Sequence, residues 1–236
     1  MSADVRLLVL LKAPLAGLVK TRLAATVGAQ AALAAHAAMA RNVLAAAAAS
    51  GFATTIHYAP AGERARMEAF CGSGAQLFPQ AAGDLGARMA DAFSRAFAAG
   101  AGAALLVGGD VPLLDGPLLR QGAAALAGAP AVLGPALDGG YYAIGFTRAG
   151  FAPQVFADMP WSTPEVCART RERLVLAGRA VALLPALPDC DTAEDLRRLA
   201  RPPWRERLSG TPFGAFLAEA SGDTFDRDPD NRLSVP

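Results

Sequence analysis

The stretch that most constrains this chain is Ala103 to Leu106 running into Val107-Gly108-Gly109-Asp110-Val111-Pro112. Its apolar residues read as a buried strand that breaks on two glycines and leaves one carboxylate, Asp110, at its carboxyl end. In an open parallel sheet, ligands bind at that end of the strands. A lone acid there, with glycines allowing close approach, suits a divalent cation carrying a phosphorylated ligand. Gly-Asp and X-Pro steps are also ordinary turn chemistry. From this stretch alone, Asp110 either caps a turn or directs a cation.

The strands around it repeat the theme. Val5–Leu11 is a continuous apolar run, as expected of a central parallel strand. It opens into Lys12-Ala13-Pro14-Leu15-Ala16-Gly17-Leu18-Val19-Lys20-Thr21-Arg22. Exposed amides and the cations Lys12, Lys20 and Arg22, gathered at a strand end, suit an anion pocket, the alternative being a solvated basic loop. The glycine spacing is not that of a Walker loop.

Ala29–Ala49 reads as a long helix with Leu33, Ala37, Ala40 and Leu44 as its packing stripe and Gly51 as its stop. His36 lies beside that stripe and reads as a surface or satisfied histidine. Strands are expected at Ala53–Ala59 and Gln76–Phe78, with a short helix over Glu63–Cys71 between them. Gly83-Asp84 opens a helix in which Leu85, Met89, Phe93 and Phe97 recur. Asp84 is placed as its N-cap, and as this is another strand-to-helix junction, a ligand role for Asp84 or Arg88 is the alternative.

Asp115 and Pro117 start a helix to about Leu126, and Ala131–Leu133 is the next strand. Leu137-Asp138-Gly139-Gly140-Tyr141-Tyr142 gives a tight turn into an alternating strand, Tyr141–Phe146. A carboxylate, two glycines and tyrosines at this position suit a substrate-facing wall. Thr163 as N-cap and Pro164 at the first helical position start a helix ending near Gly178. Trp161 before it is either core or the flat face of an acceptor pocket. Ala180–Leu184 is a further strand. In Asp189-Cys190-Asp191-Thr192-Ala193-Glu194-Asp195, Thr192 and Asp195 form a capping-box-like pair. Asp189 and Asp191 stand where a second cation-directed carboxylate could reach the site.

Strands alternating with helices predict an α/β protein: a three-layer αβα sandwich with a mainly parallel, mixed sheet. Residues 1–200 form that domain. Residues 201–236 read as an extension, partly helical through Trp204, Phe213, Phe216 and Leu217, and polar and turn-rich from Ser221. There is no internal repeat. Twenty-two basic residues against 21 acidic leave no long basic patch for nucleic acid. Cys71, Cys167 and Cys190 lack zinc or redox-motif spacing, and no run reaches the roughly 18 apolar residues of a membrane helix. A cytoplasmic location is expected.

Taken in order, Lys12-Ala-Pro-x-x-Gly-x-Val-Lys20-Thr-Arg22-Leu, Gly83-Asp-Leu-Gly, Gly109-Asp-Val-Pro-Leu-Leu, Leu137-Asp-Gly-Gly-Tyr-Tyr and Asp189-x-Asp-Thr-x-Glu-Asp-Leu resemble a bacterial transferase family. That family is described as associated with radical-SAM and selenium-related (selenodomain) proteins. It belongs to the nucleotide-diphospho-sugar transferase superfamily, with the glycosyltransferase-A fold. The resemblance covers about residues 5–200.

It implies a transferase using Mg2+ or Mn2+, a nucleotide or nucleotide-sugar and a small-molecule acceptor. Lys12, Pro14, Gly17, Lys20, Arg22, Gly83, Asp84 and Gly109 are then the nucleotide contacts. Asp110 with Asp189 or Asp191 holds the cation, Gly139, Gly140, Tyr141, Trp161 and Thr163 face the substrate, and Asp138 is a candidate acceptor base. The first loop is also similar to that of phospholactate guanylyltransferases and molybdenum-cofactor nucleotidyltransferases. Many glycosyltransferases of this fold carry an Asp-x-Asp pair, whereas Gly108 and Pro112 flank Asp110 here. Glycosyl transfer is the first expectation and nucleotidyl transfer the alternative; a binding protein without chemistry is the third.

Overall fold

Alternation in a single strand sets the layers. In β1 (Val5–Lys12), Val5, Leu7, Val9 and Leu11 enter one core and Leu8 the other, with Leu10 packed against it. A strand apolar on both faces belongs in the middle of a covered sheet. The computed structural model, which describes residues 4–220, places it there. β1 pairs in parallel with β2 (Ala53–Ala59) on one side and β4 (Ala103–Gly108) on the other. β3 (Gln76–Pro79) extends the sheet beyond β2, again in parallel. On the far side β6 (Tyr141–Thr147) runs antiparallel between β4 and β5 (Ala131–Pro135), and β7 (Val181–Leu183) lies parallel to β5. The order is β3-β2-β1-β4-β6-β5-β7. The expected mixed, mainly parallel α/β sheet is what forms.

One face is covered by α1 (Thr21–Val27), α2 (Ala29–Ser50), α3 (Arg64–Cys71), α5 (Gly116–Ala125) and α7 (Ala193–Leu199). α8 (Trp204–Arg207) and α9 (Pro212–Ala220) complete that layer, with Trp204, Phe213 and Leu217 packed into the same core. α4 (Leu85–Ala98), α6 (Val166–Leu176) and a 3-10 turn over Pro153–Phe156 cover the other face. Their core is aromatic: the Phe93 and Phe146 rings meet edge-on with centroids 5.0 Å apart, and Phe151 lies 5.5 Å from both. The expected turn-rich stretch from Ser221 lies outside the described residues.

Three expectations are corrected. The buried stripe of α2 is Ala32, Ala35, His36, Met39, Val43, Ala46 and Ala47, whereas Leu33, Ala37 and Leu44 lie at its flank. In an alanine-rich helix the few leucines mislead, because small residues are what let α2 pack closely on α1, α5 and α9. Leu85 is exposed, as it opens α4 ahead of the buried Met89, Phe93 and Phe97. α6 starts at Val166 rather than Pro164, and its N-terminal residue Glu165 makes no side-chain cap. Thr163 turns instead to donate its hydroxyl to the Pro160 carbonyl at 2.8 Å.

α2 is also the one helix among the described residues long and apolar enough to cross a membrane, against the expectation of none. Its composition serves the core: half of its 22 residues are buried, and it packs against α1, α5 and α9. His36, Asn42 and Ser50 lie in its buried face with hydrogen-bond partners.

Candidate functional site

The ends of β1 and β4 are held together by a glycine. A Cβ on Gly109 would overlap the Leu11 side chain and crowd the Leu10 carbonyl, so only glycine lets the turn after β4 lie on β1. Asp110 follows at once, its side chain half exposed at 50%. From beneath, Asn42 of α2 donates to the Pro112 carbonyl at 2.7 Å and tethers the turn. His36, six residues earlier on the same helix, donates to the Lys12 carbonyl at 3.0 Å and fixes the end of β1.

The first loop then folds back over this point. Gly17 takes a positive φ of 78°, which glycine alone adopts at no steric cost. Lys20 is left-handed as well, with φ and ψ both 47°, a conformation that strains a residue bearing a Cβ. Its side chain is 5% exposed and reaches Asp110 Oδ2 at 2.8 Å and Asp191 Oδ1 at 2.7 Å.

Asp191 arrives by two devices. An isolated parallel bridge joins Ala136 to Leu187, and the Leu137 amide donates to the Leu187 carbonyl at 3.0 Å. This draws the segment after β7 against the end of β5. The capping box of α7 then anchors it: the Asp191 and Thr192 amides both donate to Asp195 Oδ2, at 3.0 and 2.8 Å. Asp189, two residues earlier, turns to Arg198 at 3.5 Å.

Electrostatics follow the geometry. Burial alone would lower the Lys20 pKa, but the two carboxylates reverse this and hold it above the ordinary lysine value. The Lys20 ammonium in turn holds the Asp110 carboxyl below the usual range, helped by Lys12. Burial pushes Asp189 up, with Asp138 adding repulsion. Cys190, buried between the two aspartates in sequence, is pushed up to about 12 by desolvation and is no thiolate.

These groups border a cavity of about 160 Å3 lined by Lys20, Asp110, Asp138, Tyr141, Asp189 and Asp191. Gly140 also lines it, its amide donating to Asp138 Oδ1 at 2.8 Å and setting that carboxylate's direction. A larger cavity of about 540 Å3 beside Arg205, Leu208 and Thr211 has no carboxylate among the described residues of its wall and lies at α8 and α9.

The other expected residues fall elsewhere. Lys12 and Arg22 are exposed, and Pro14 and Gly17 belong to the bend between them. Gly83, Asp84 and Trp161 gather at the start of α4, where Asp84 caps the helix through the Ala87 amide at 2.8 Å and accepts from Trp161 Nε1 at 3.1 Å. Gly139 is packed so closely on Pro164 that no Cβ could fit, and its carbonyl accepts from the Cys167 amide at 2.9 Å. Gly109, Gly139 and Thr163 thus hold the backbone together rather than line the cavity. Sequence reading passed over Asn42 and His36 as supports, although a polar side chain on an alanine-rich face is itself a signal.

Residues 22–163 match the family described as uncharacterized proteins conserved in bacteria, DUF2064. The chain belongs to that family. No curated protein matches this DUF2064 chain. Among solved structures, one from Desulfovibrio desulfuricans G20, described as a candidate nucleotide-diphospho-sugar transferase, is 32% identical over 93% of this chain and 96% of its own, with a TM-score of 0.89. Rv0371c from Mycobacterium tuberculosis H37Rv, solved in complex with manganese, is 20% identical over 83% and 97%, with a TM-score of 0.50. A cytidylyltransferase from Leptospira borgpetersenii is 13% identical over 93% and 94%, with a TM-score of 0.54. The last two establish a shared fold with this DUF2064 protein.

Proposed function

We propose that the protein is a divalent-cation-dependent transferase acting on a nucleotide-activated substrate, with glycosyl transfer from a nucleotide-diphospho-sugar as its reaction. The observation that carries this is the convergence of Asp110 and Asp191 on one point at the carboxyl ends of the strands. The residues fit a hard cation: two carboxylate oxygens from separate loops, already within 2.8 Å of a shared positive charge. Among the described residues no group of three or more His, Cys, Asp or Glu could hold a metal ion. The pair of carboxylates alone suits Mg2+ or Mn2+, the hard cation taking its remaining ligands from substrate phosphates and water.

When bound, such a cation supplies charge neutralisation for a diphosphate leaving group. The chain's own residues supply the rest. Lys20 neutralises phosphate oxygens, with Lys12, whose charge already acts on Asp110, and the exposed Arg22 adding positive potential to the approach. Asp138, aimed by the Gly140 amide, accepts a proton from the acceptor hydroxyl. Leu187 and the ring of Tyr142, whose hydroxyl is turned to the Pro185 carbonyl at 3.0 Å, form part of the same wall. The Desulfovibrio relative supports glycosyl transfer by what it is described as.

Gly108 and Pro112, in place of a second carboxylate beside Asp110, favour a second reading: nucleotidyl transfer from a nucleoside triphosphate. The test is to incubate the full chain and Mn2+ with sugar nucleotides or with nucleoside triphosphates. Nucleoside diphosphate release from a sugar nucleotide is expected. Pyrophosphate release from a triphosphate, with sugar nucleotides inert, would replace the first reading by the second. Cys71, Cys167 and Cys190 are free thiols, which suits the reducing cytoplasm in which we place the protein.

A further inference from the structure

Lys20 stands where the cation would. Its Nζ lies 2.8 Å from Asp110 Oδ2 and 2.7 Å from Asp191 Oδ1, so carboxylates from two separate loops already share one charge. The lysine is covered, while the carboxylates are 50% and 40% exposed toward the cleft. Its backbone is left-handed, and strain of this kind persists only where surrounding structure enforces it. The loop therefore directs the ammonium at this one position.

We infer that Lys20 competes with the divalent cation for the oxygens of Asp110 and Asp191, and yields only when a diphosphate group draws its ammonium away. This inference rests on the reading of those two aspartates as the cation ligands.

The charges explain the coupling. Two carboxylates and one ammonium sum to −1, so the resting cluster is nearly balanced. A divalent cation arriving alone meets an ammonium at contact range, where like charges repel strongly. It also finds only two protein carboxylates. Diphosphate changes both conditions: it offers Lys20 a second anionic partner on a flexible four-carbon stem, and it brings oxygen ligands of its own. Each ligand then raises the affinity of the other, which is what coupling between two sites requires. The same exchange keeps the cleft closed to free cations until an activated substrate is present.

The alternative is that Lys20 stays fixed and orients the carboxylates for a cation on their open side. The two arrangements give opposite signs on removing the ammonium. Titrate Mn2+ into the full chain, wild type and Lys20→Met, following free Mn2+ by electron paramagnetic resonance with and without inorganic pyrophosphate. Competition requires Lys20→Met to bind Mn2+ alone about tenfold more tightly or better, and pyrophosphate to tighten Mn2+ by a smaller factor in the variant than in wild type, because only its own oxygen ligands then contribute. Unchanged or weaker Mn2+ binding in the variant overturns the inference.

Lys20→Gln repeats the measurement with an uncharged side chain that keeps an N–H donor, and thermal melts in chelator and in Mn2+ check the fold. Mn2+ should raise the melting temperature of both variants more than that of wild type. Equal shifts count against competition. If wild type binds Mn2+ and Asp110→Asn abolishes that binding, but Lys20→Met leaves it unaltered, only the competition fails. If no form binds Mn2+ even with pyrophosphate, the cation site and the competition fail together.

Discussion

Asp110 and Lys20 are coupled so tightly that substituting either tests a different part of the proposal. Asp110→Asn keeps the shape and removes the charge that a cation needs. Lys20 retains Asp191 at 2.7 Å, so the fold is expected to survive. Turnover should fall by at least about a hundredfold, the scale on which a charge-stabilising contact acts in a transition state. A thermal melt matching wild type would assign that loss to chemistry. Lys20→Ala should act in two directions, weakening nucleotide affinity by about 1.5–3 kcal/mol, the range for a charged hydrogen bond, while strengthening binding of bare Mn2+. Isothermal titration with each ligand separates the two, and unchanged nucleotide affinity would remove Lys20 from the phosphate contacts.

Secondary elements place these side chains through contacts that are local in some cases and remote in others, and that difference governs what the sequence revealed. Asp84 before α4, Asp115 before α5 and the Thr192–Asp195 box before α7 were legible because a cap involves neighbours three residues apart. The start of α6 was not. Thr163-Pro164 imitates a cap and first turn, but Gly139 packs on Pro164 and takes the Cys167 amide, contacts made across the fold. Which of Asp189 and Asp191 meets Lys20 was equally hidden, since one turns to Arg198 and the other to a lysine far away in the chain. The support beneath Asp110 gives a direct test. Asn42→Leu keeps the bulk but orphans the Pro112 carbonyl, which should cost about 1–3 kcal/mol. Urea denaturation would read that loss, and Mn2+ affinity should fall with it because the turn carrying Asp110 loses its tether. Full stability in this variant would mean that the hydrogen bond is replaced by another.

At the scale of the whole molecule, the two histidines make folding sensitive to mild acid. His57 sits in β2 at 2% exposure, with its ring stacked on Phe78 and Nε2 3.3 Å from the Thr55 hydroxyl. Desolvation lowers its pKa to about 4, the attraction of Asp91 being too weak to compensate and Arg95 opposing it. Burial also lowers the pKa of His36 beside Lys12. A folded-state pKa below the unfolded value of about 6.5 means that the unfolded chain binds protons first as pH falls. Stability is therefore complete above about pH 6.5 and declines toward pH 4, with His57 contributing at most about 3 kcal/mol of that loss. The lowered carboxyls of Asp110 and Asp195 act in the same direction but later, below the ordinary carboxylate range. Because β2 pairs with both β1 and β3, protonation of His57 opposes the sheet itself and should appear as global unfolding rather than fraying at an end. Thermal melts by circular dichroism between pH 7.5 and pH 4.5 should show the decline in wild type and a shallower slope in His57→Gln, whatever that variant's stability at neutral pH. Parallel slopes would mean that His57 is not held neutral by its burial in the sheet.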